Sequence, residues 1–234
     1  MIVSHEHRFI FIKTMKTAGT SIEIALSKFC GPRDIITPID AEDEEIRRAL
    51  GYRGPQNCTV PFSRYSLRQW ARFAASRGRR RRFFNHMSAR QIRRALPRAV
   101  WNSYYKFCVD RNPWDKVVSL YFWQHKTEPR PSLSDFIASG GIEIGVRRGG
   151  FDLYAIDGEV VVDRVCRYEQ LEQELAMLAQ RLRLPEVPQL PRAKANTRTD
   201  RRHYAELLSA GDSATIARVF AKEIAYLHYE FEGN

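Results

Sequence analysis

The chain has 234 residues, 44% of them hydrophobic and 12% aromatic, which is ample for one sizeable core, so a single α/β domain over 1–234 is expected. No apolar run approaches the roughly 20 residues that cross a bilayer, and the opening MIVSHEHR lacks the layout of a signal peptide; a cytoplasmic protein with no stable membrane insertion is expected. A formal net charge of +11 draws polyanions without choosing among nucleic acid, acidic glycan, membrane and nucleotide, and the scattered Cys30, Cys58, Cys108 and Cys166 suggest neither a disulfide framework nor a metal site.

In chain order, HRFIFIK alternates as a first strand, and Ile22, Ala25, Leu26 and Phe29 then recur at helical spacing until CGPRD stops the helix. Between them lies KTMKTAGTS, a strand-to-helix loop crowded with hydroxyls, whose backbone N–H groups suit an anion. Residues 39–84 are less regular. A charged helix is expected near Glu42 to Leu50, then the Gly/Pro-rich GYRGPQNCTVP, then a helix with Leu67, Trp70, Ala71 and Ala74 facing inward. The strand-like RFFNH ends at His86, and Ser88 is placed to cap the helix that follows.

YYKFCVDRNPWDKVVSLYFW repeats the theme of strand, turn and helix, with Pro113 near the first helical position. Asp157-Gly158 signals a hairpin, a strand and a helix from about Tyr168 follow, PEVPQLPRAKANTRTDRRHY reads as a basic loop, and a helix from Ala214 to Phe231 closes the chain. The segments 39–84 and 127–150 are the expected excursions that shape an acceptor pocket.

The loop is not a Walker motif, because Lys16 precedes Gly19 instead of following the glycines, and the Mg²⁺ logic of kinases is missing there. KTMKTAGTSIE resembles the 5′-phosphosulfate loop of sulfotransferases that use 3′-phosphoadenosine 5′-phosphosulfate (PAPS), and RNPWDKVVSLY resembles their 3′-phosphate segment. FNHMSARQI, DRVCRYEQL and AKEIAYLHYEFE are similar to the bacterial and carbohydrate-type branch, the sulfotransferase family 2-like proteins. Met15 and Ala18 depart from the family pattern, which often has proline or arginine and glycine there.

The resemblance implies a P-loop-like three-layer fold with a central, mainly parallel sheet flanked by helices, and PAPS as co-substrate without a metal. Lys16, Thr17, Ala18, Gly19, Thr20 and Ser21 would then hold the 5′-phosphosulfate. Arg111 and Ser119 would hold the 3′-phosphate, with Asn196 and Arg198 as further nucleotide contacts. Lys16 would stabilise the leaving group, and His86 would serve as the base for an acceptor hydroxyl, on a carbohydrate or glycosylated small molecule. Two other readings stand beside it: a divergent P-loop small-molecule kinase, and a non-enzymatic module that binds polyanions through Arg77 to Arg82. Nucleic acid is the least favoured partner, since neither stacking aromatics nor a DNA-binding repeat is visible.

Overall fold

Four residues separate the first two strands, and that is too short a connection for anything but antiparallel neighbours. Strand β1 (Ile2–Ser4) therefore folds back on β2 (Phe9–Ile12) and also pairs antiparallel with β3 (Ile35–Ile36). Beyond β2 the pairing turns parallel: β2 lies beside β4 (Tyr105–Asp110), and β4 beside β7 (Arg164–Arg167). The sheet order is β3-β1-β2-β4-β7, so the sheet is mixed rather than mainly parallel. The strand missed in the sequence is β1, which puts HRFIFIK second. The computed structural model describes residues 1–143, 145–146, 150–191 and 198–232.

Alternation along each strand builds two cores. Phe9 and Phe11 of β2 and Phe107 and Val109 of β4 pack with Ile22 and Leu26 of α1 (Gly19–Ser27) on one face. Ile10, Ile12 and Cys108 point the other way, toward Ile92 of α4 (Ala89–Ala95) and Trp101 of α5 (Arg98–Ser103). Helices thus cover both faces, which is why these strands read as nearly continuous apolar runs. The charged helix falls at α2 (Ala41–Ala49), and Ser88 forms a capping box with Gln91 at the start of α4.

Helix α6 (Pro113–Gln124) follows β4, with Asn112 capping it through acceptance from the N–H groups of Trp114 and Asp115. It packs with α7 (Leu133–Ala138) and with the C-terminal helices in a third cluster around Val117, Leu120, Ile216 and Phe220. The Asp157-Gly158 hairpin forms between β5 (Ala155–Ile156) and β6 (Glu159–Val160), and α8 (Leu171–Leu182) follows β7 after a turn of 3₁₀ helix over Tyr168–Gln170. After the short α9 (Tyr204–Leu207), the expected closing helix is two: α10 (Ala210–Val219) and α11 (Ala221–Leu227). Buried Phe220 leaves the helical conformation at the joint, so its ring stays in the core while the chain changes direction.

Two further expectations differ. Helix α3 (Leu67–Ala75) forms, yet none of its residues is buried, and Leu67 and Trp70 face solvent. RFFNH is not a strand. Only Thr59 and Arg82 make a bridge there, and His86 sits in a left-handed turn at φ 55°. Among the described residues no helix is long and apolar enough to cross a membrane.

Candidate functional site

Parallel pairing of β2 with β4 brings their carboxyl ends side by side, and each strand runs into a loop that opens a helix. Crevices at such ends are where open α/β sheets bind ligands. The β2 loop, residues 13–18, is bent by left-handed Lys16 (φ 62°) and Ala18 (φ 56°). Ala18 is also the N-cap of α1, and no side chain caps that helix, so the first N–H groups of Gly19, Thr20 and Ser21 have no capping acceptor. Thr14 fastens the loop to β4 by donating to the Val109 carbonyl.

The two lysines of the loop divide their work. Lys13 is buried, with Nζ 3.0 Å from Oε2 of fully buried Glu23. A Cβ on Gly19 would stand 2.8 Å from Lys13 Cγ, so glycine is needed here for the close approach of that lysine rather than for a turn. Lys16 is half-buried on the other side of the loop, its ammonium 5.5 Å from the centre of the Trp123 ring. Thr17 is buried, and its hydroxyl is engaged within the loop, 2.8 Å from Thr14 Oγ1. Ser21 is also buried, and Thr20 is half-buried.

From the neighbouring loop, Arg111 donates through Nη1 to the Lys16 carbonyl at 3.2 Å. Its Nε donates to Asp115 at 2.7 Å, and its guanidinium lies 4.2 Å from the centre of the Tyr168 ring. Arg198 approaches Asp115 from the opposite side, with Nη1 2.8 Å from Oδ1. Each guanidinium has five N–H donors, and these contacts leave some of them for a further anion. Asn196 lies outside the described residues.

Helix α6 supplies the third wall. Eight of its twelve residues are buried; of the rest, Asp115, Ser119 and Trp123, spaced four apart, form one stripe, and Gln124 ends the helix beside it. Asp115 meets Arg111 and Trp123 meets Lys16, so half-buried Ser119 lies between the two contacts on the same strip.

His86 meets the loop at Lys13. Its Nδ1 is 3.0 Å from the Lys13 carbonyl oxygen, which can only accept, so the imidazole proton sits on Nδ1 and Nε2 keeps its lone pair. Burial, and then the Lys13 charge, push its pKa down to about 4. The ring is therefore neutral throughout the physiological range. Behind it, burial alone would raise the Glu23 pKa, but the Met1 amino group and Lys13 outweigh that and hold it to about 2.

The sequence thus pointed to Lys16, Thr17, Ala18, Gly19, Thr20, Ser21, Arg111, Ser119, Asn196, Arg198 and His86, and not to Lys13, Glu23, Asp115, Tyr168 and Trp123. Asp115 and Trp123 carried a usable signal, since both lie at fourfold spacing from Ser119. An open cleft of about 1020 Å³ adjoins the Arg198 side, between Tyr121, Arg130 and Leu133 and the segment from Thr199 to Arg202. It lies beyond the loops, and none of Lys16, Arg111 or Ser119 lines it.

No family model matches the chain, and no solved structure matches it. A protein of Archaeoglobus fulgidus described as uncharacterized is 31% identical over 102 residues, which are 43% of this chain and 85% of that one.

Proposed function

For a chain that belongs to one family with that archaeal protein, we propose the function of a PAPS-dependent sulfotransferase that sulfates a hydroxyl, on a carbohydrate or a glycosylated small molecule. The observation that carries the reading is the 3.2 Å contact of Arg111 with the Lys16 carbonyl. It brings the two segments that resemble the family's phosphate-binding motifs into contact, which supports their serving a single nucleotide with two anionic ends.

The residues fit such a donor. Uncapped N–H groups at the start of α1 and the Lys16 ammonium suit the 5′ end. Arg111, held in place by Asp115 and Tyr168, suits a 3′-phosphate together with Ser119. Asp115 also holds Arg198 at the rim. PAPS supplies the sulfuryl group: the acceptor oxygen forms a bond to sulfur as the bond from sulfur to the bridging phosphate oxygen breaks. Lys16 offers a positive charge where the bridging oxygen gains electron density. His86, held to the loop through Nδ1, keeps a lone pair at Nε2 that can take the acceptor proton.

Isothermal titration with adenosine 3′,5′-bisphosphate tests this. Binding that survives EDTA, and that Arg111→Ala weakens by about 1.5–3 kcal/mol, supports the reading. No binding, or tighter binding of ATP with Mg²⁺, overturns it, and the latter outcome selects the kinase alternative.

A further inference from the structure

Between Ile46 and Val109 the chain holds fifteen arginines and Lys106, and no aspartate or glutamate. The remaining residues carry 22 Lys and Arg against 27 Asp and Glu, so the net charge of +11 arises entirely in this stretch. Within it, α3 stands out from the sheet. Leu67 is 90% exposed and Trp70 42%, and Ala71 and Ala74 are exposed beside them, so an apolar stripe at i, i+3, i+4 and i+7 faces water. Phe84, 46% exposed, adds to the apolar surface near the arginine run.

The feature is a built unit and not a frayed loop. Ser66 and Gln69 form a capping box at the start of α3. Phe62 stacks on Trp70 at 5.1 Å between centroids and 17° between planes, and the Arg80 guanidinium lies 4.2 Å from the centre of Phe62. The Tyr65 hydroxyl accepts from the Arg81 N–H at 2.6 Å, and Arg64 Nη2 donates to the Arg94 carbonyl at 3.4 Å. Positive charge is thereby fixed directly against the exposed aromatic surface, while Arg68, Arg72, Arg77 and Arg79 have no acidic partner among the described residues.

We propose that this surface docks the protein peripherally onto an anionic lipid bilayer. The charge complement must be negative, and the stripe demands an apolar environment as well. A hydrated polyanion would pair the arginines and leave Leu67 in water, whereas the headgroup boundary of an anionic bilayer takes up both, as for short interfacial helices with Trp and Leu on one side and basic residues on the other. The inference does not depend on the proposed reaction.

Sedimentation of the full chain with vesicles decides it. Phosphatidylcholine vesicles doped with phosphatidylglycerol should bind the protein, and pure phosphatidylcholine vesicles should not. Leu67→Asp should lower partitioning about tenfold, and Arg79→Ser and Arg82→Ser about fivefold each, with unchanged circular dichroism and thermal melting. Absence of binding to the doped vesicles, or binding that Leu67→Asp leaves intact, overturns the proposal. Retention on heparin without vesicle binding overturns it too, and assigns the surface to an anionic polymer.

Discussion

Around the first loop, Lys13, Arg111 and Arg198 each face a carboxylate supplied by a helix that follows one of the two loops: Glu23 on α1 for Lys13, and Asp115 on α6 for both arginines. Around α3 the stretch from Ile46 to Val109 holds no acid, and Arg80 lies over the Phe62 ring while Arg64 donates to the Arg94 carbonyl. The same residue type therefore does two different things. A cation held by a buried acid has a fixed position, which is what recognition of a small anion requires. A cation on an open surface contributes sign and density, which suffices for a broad anionic partner.

Removing one buried acid should break the first region outright. Glu23→Gln leaves the buried Lys13 ammonium without its countercharge, and should cost about 3–5 kcal/mol of stability in urea denaturation.

Acid should sharpen the contrast. The folded-state pKa of His86 is about 4 against an ordinary value of 6.5, so the unfolded chain takes up this proton first. The stability that neutral His86 contributes is full above pH 6.5 and is lost as the pH falls toward 4, by up to about 3 kcal/mol. His86→Gln should flatten that part of the stability profile; an unchanged slope would show that the ring is not held neutral by its surroundings.

A smaller effect is expected at the loop's bend. Ala18 holds φ 56° without the freedom of glycine, and Ala18→Gly should relieve about 1 kcal/mol of left-handed strain while the looser unfolded chain takes back part of it. A net rise of about 0.5 kcal/mol, read from the urea midpoint, is the expected outcome. In the second region, by contrast, Leu67→Ser should change stability by no more than about 0.5 kcal/mol, because 90% of that side chain is already in water. A larger loss there would mean that the stripe packs on the protein itself.

Much of the site was legible because its signals are local. Lys16, Gly19 and Arg111 sit in strand-loop-helix segments whose apolar periods, caps and turn residues lie within about twenty residues of one another, and both segments fold as read. What was illegible depends on long-range partners. Leu67, Trp70, Ala71 and Ala74 have the spacing of a buried face, and spacing cannot tell whether a sheet lies opposite; here none does. Likewise the 3.6-residue period runs through Phe220, but the pocket between α6 and α10 holds its ring and breaks the helix there.

By itself, the sequence determined the alternation that builds two faces of a sheet, the loop chemistry at the ends of β2 and β4, and the concentration of positive charge between Ile46 and Val109. Only the tertiary structure decided that β1 pairs antiparallel, that Lys13 turns inward to Glu23 while Lys16 lies over Trp123, and that α3 stays uncovered. Local patterns fix what each segment can bury or bind, because they act through neighbouring residues. Which of those capacities is used is settled by elements far apart in the chain, whose packing alone decides which charges meet a partner and which face water.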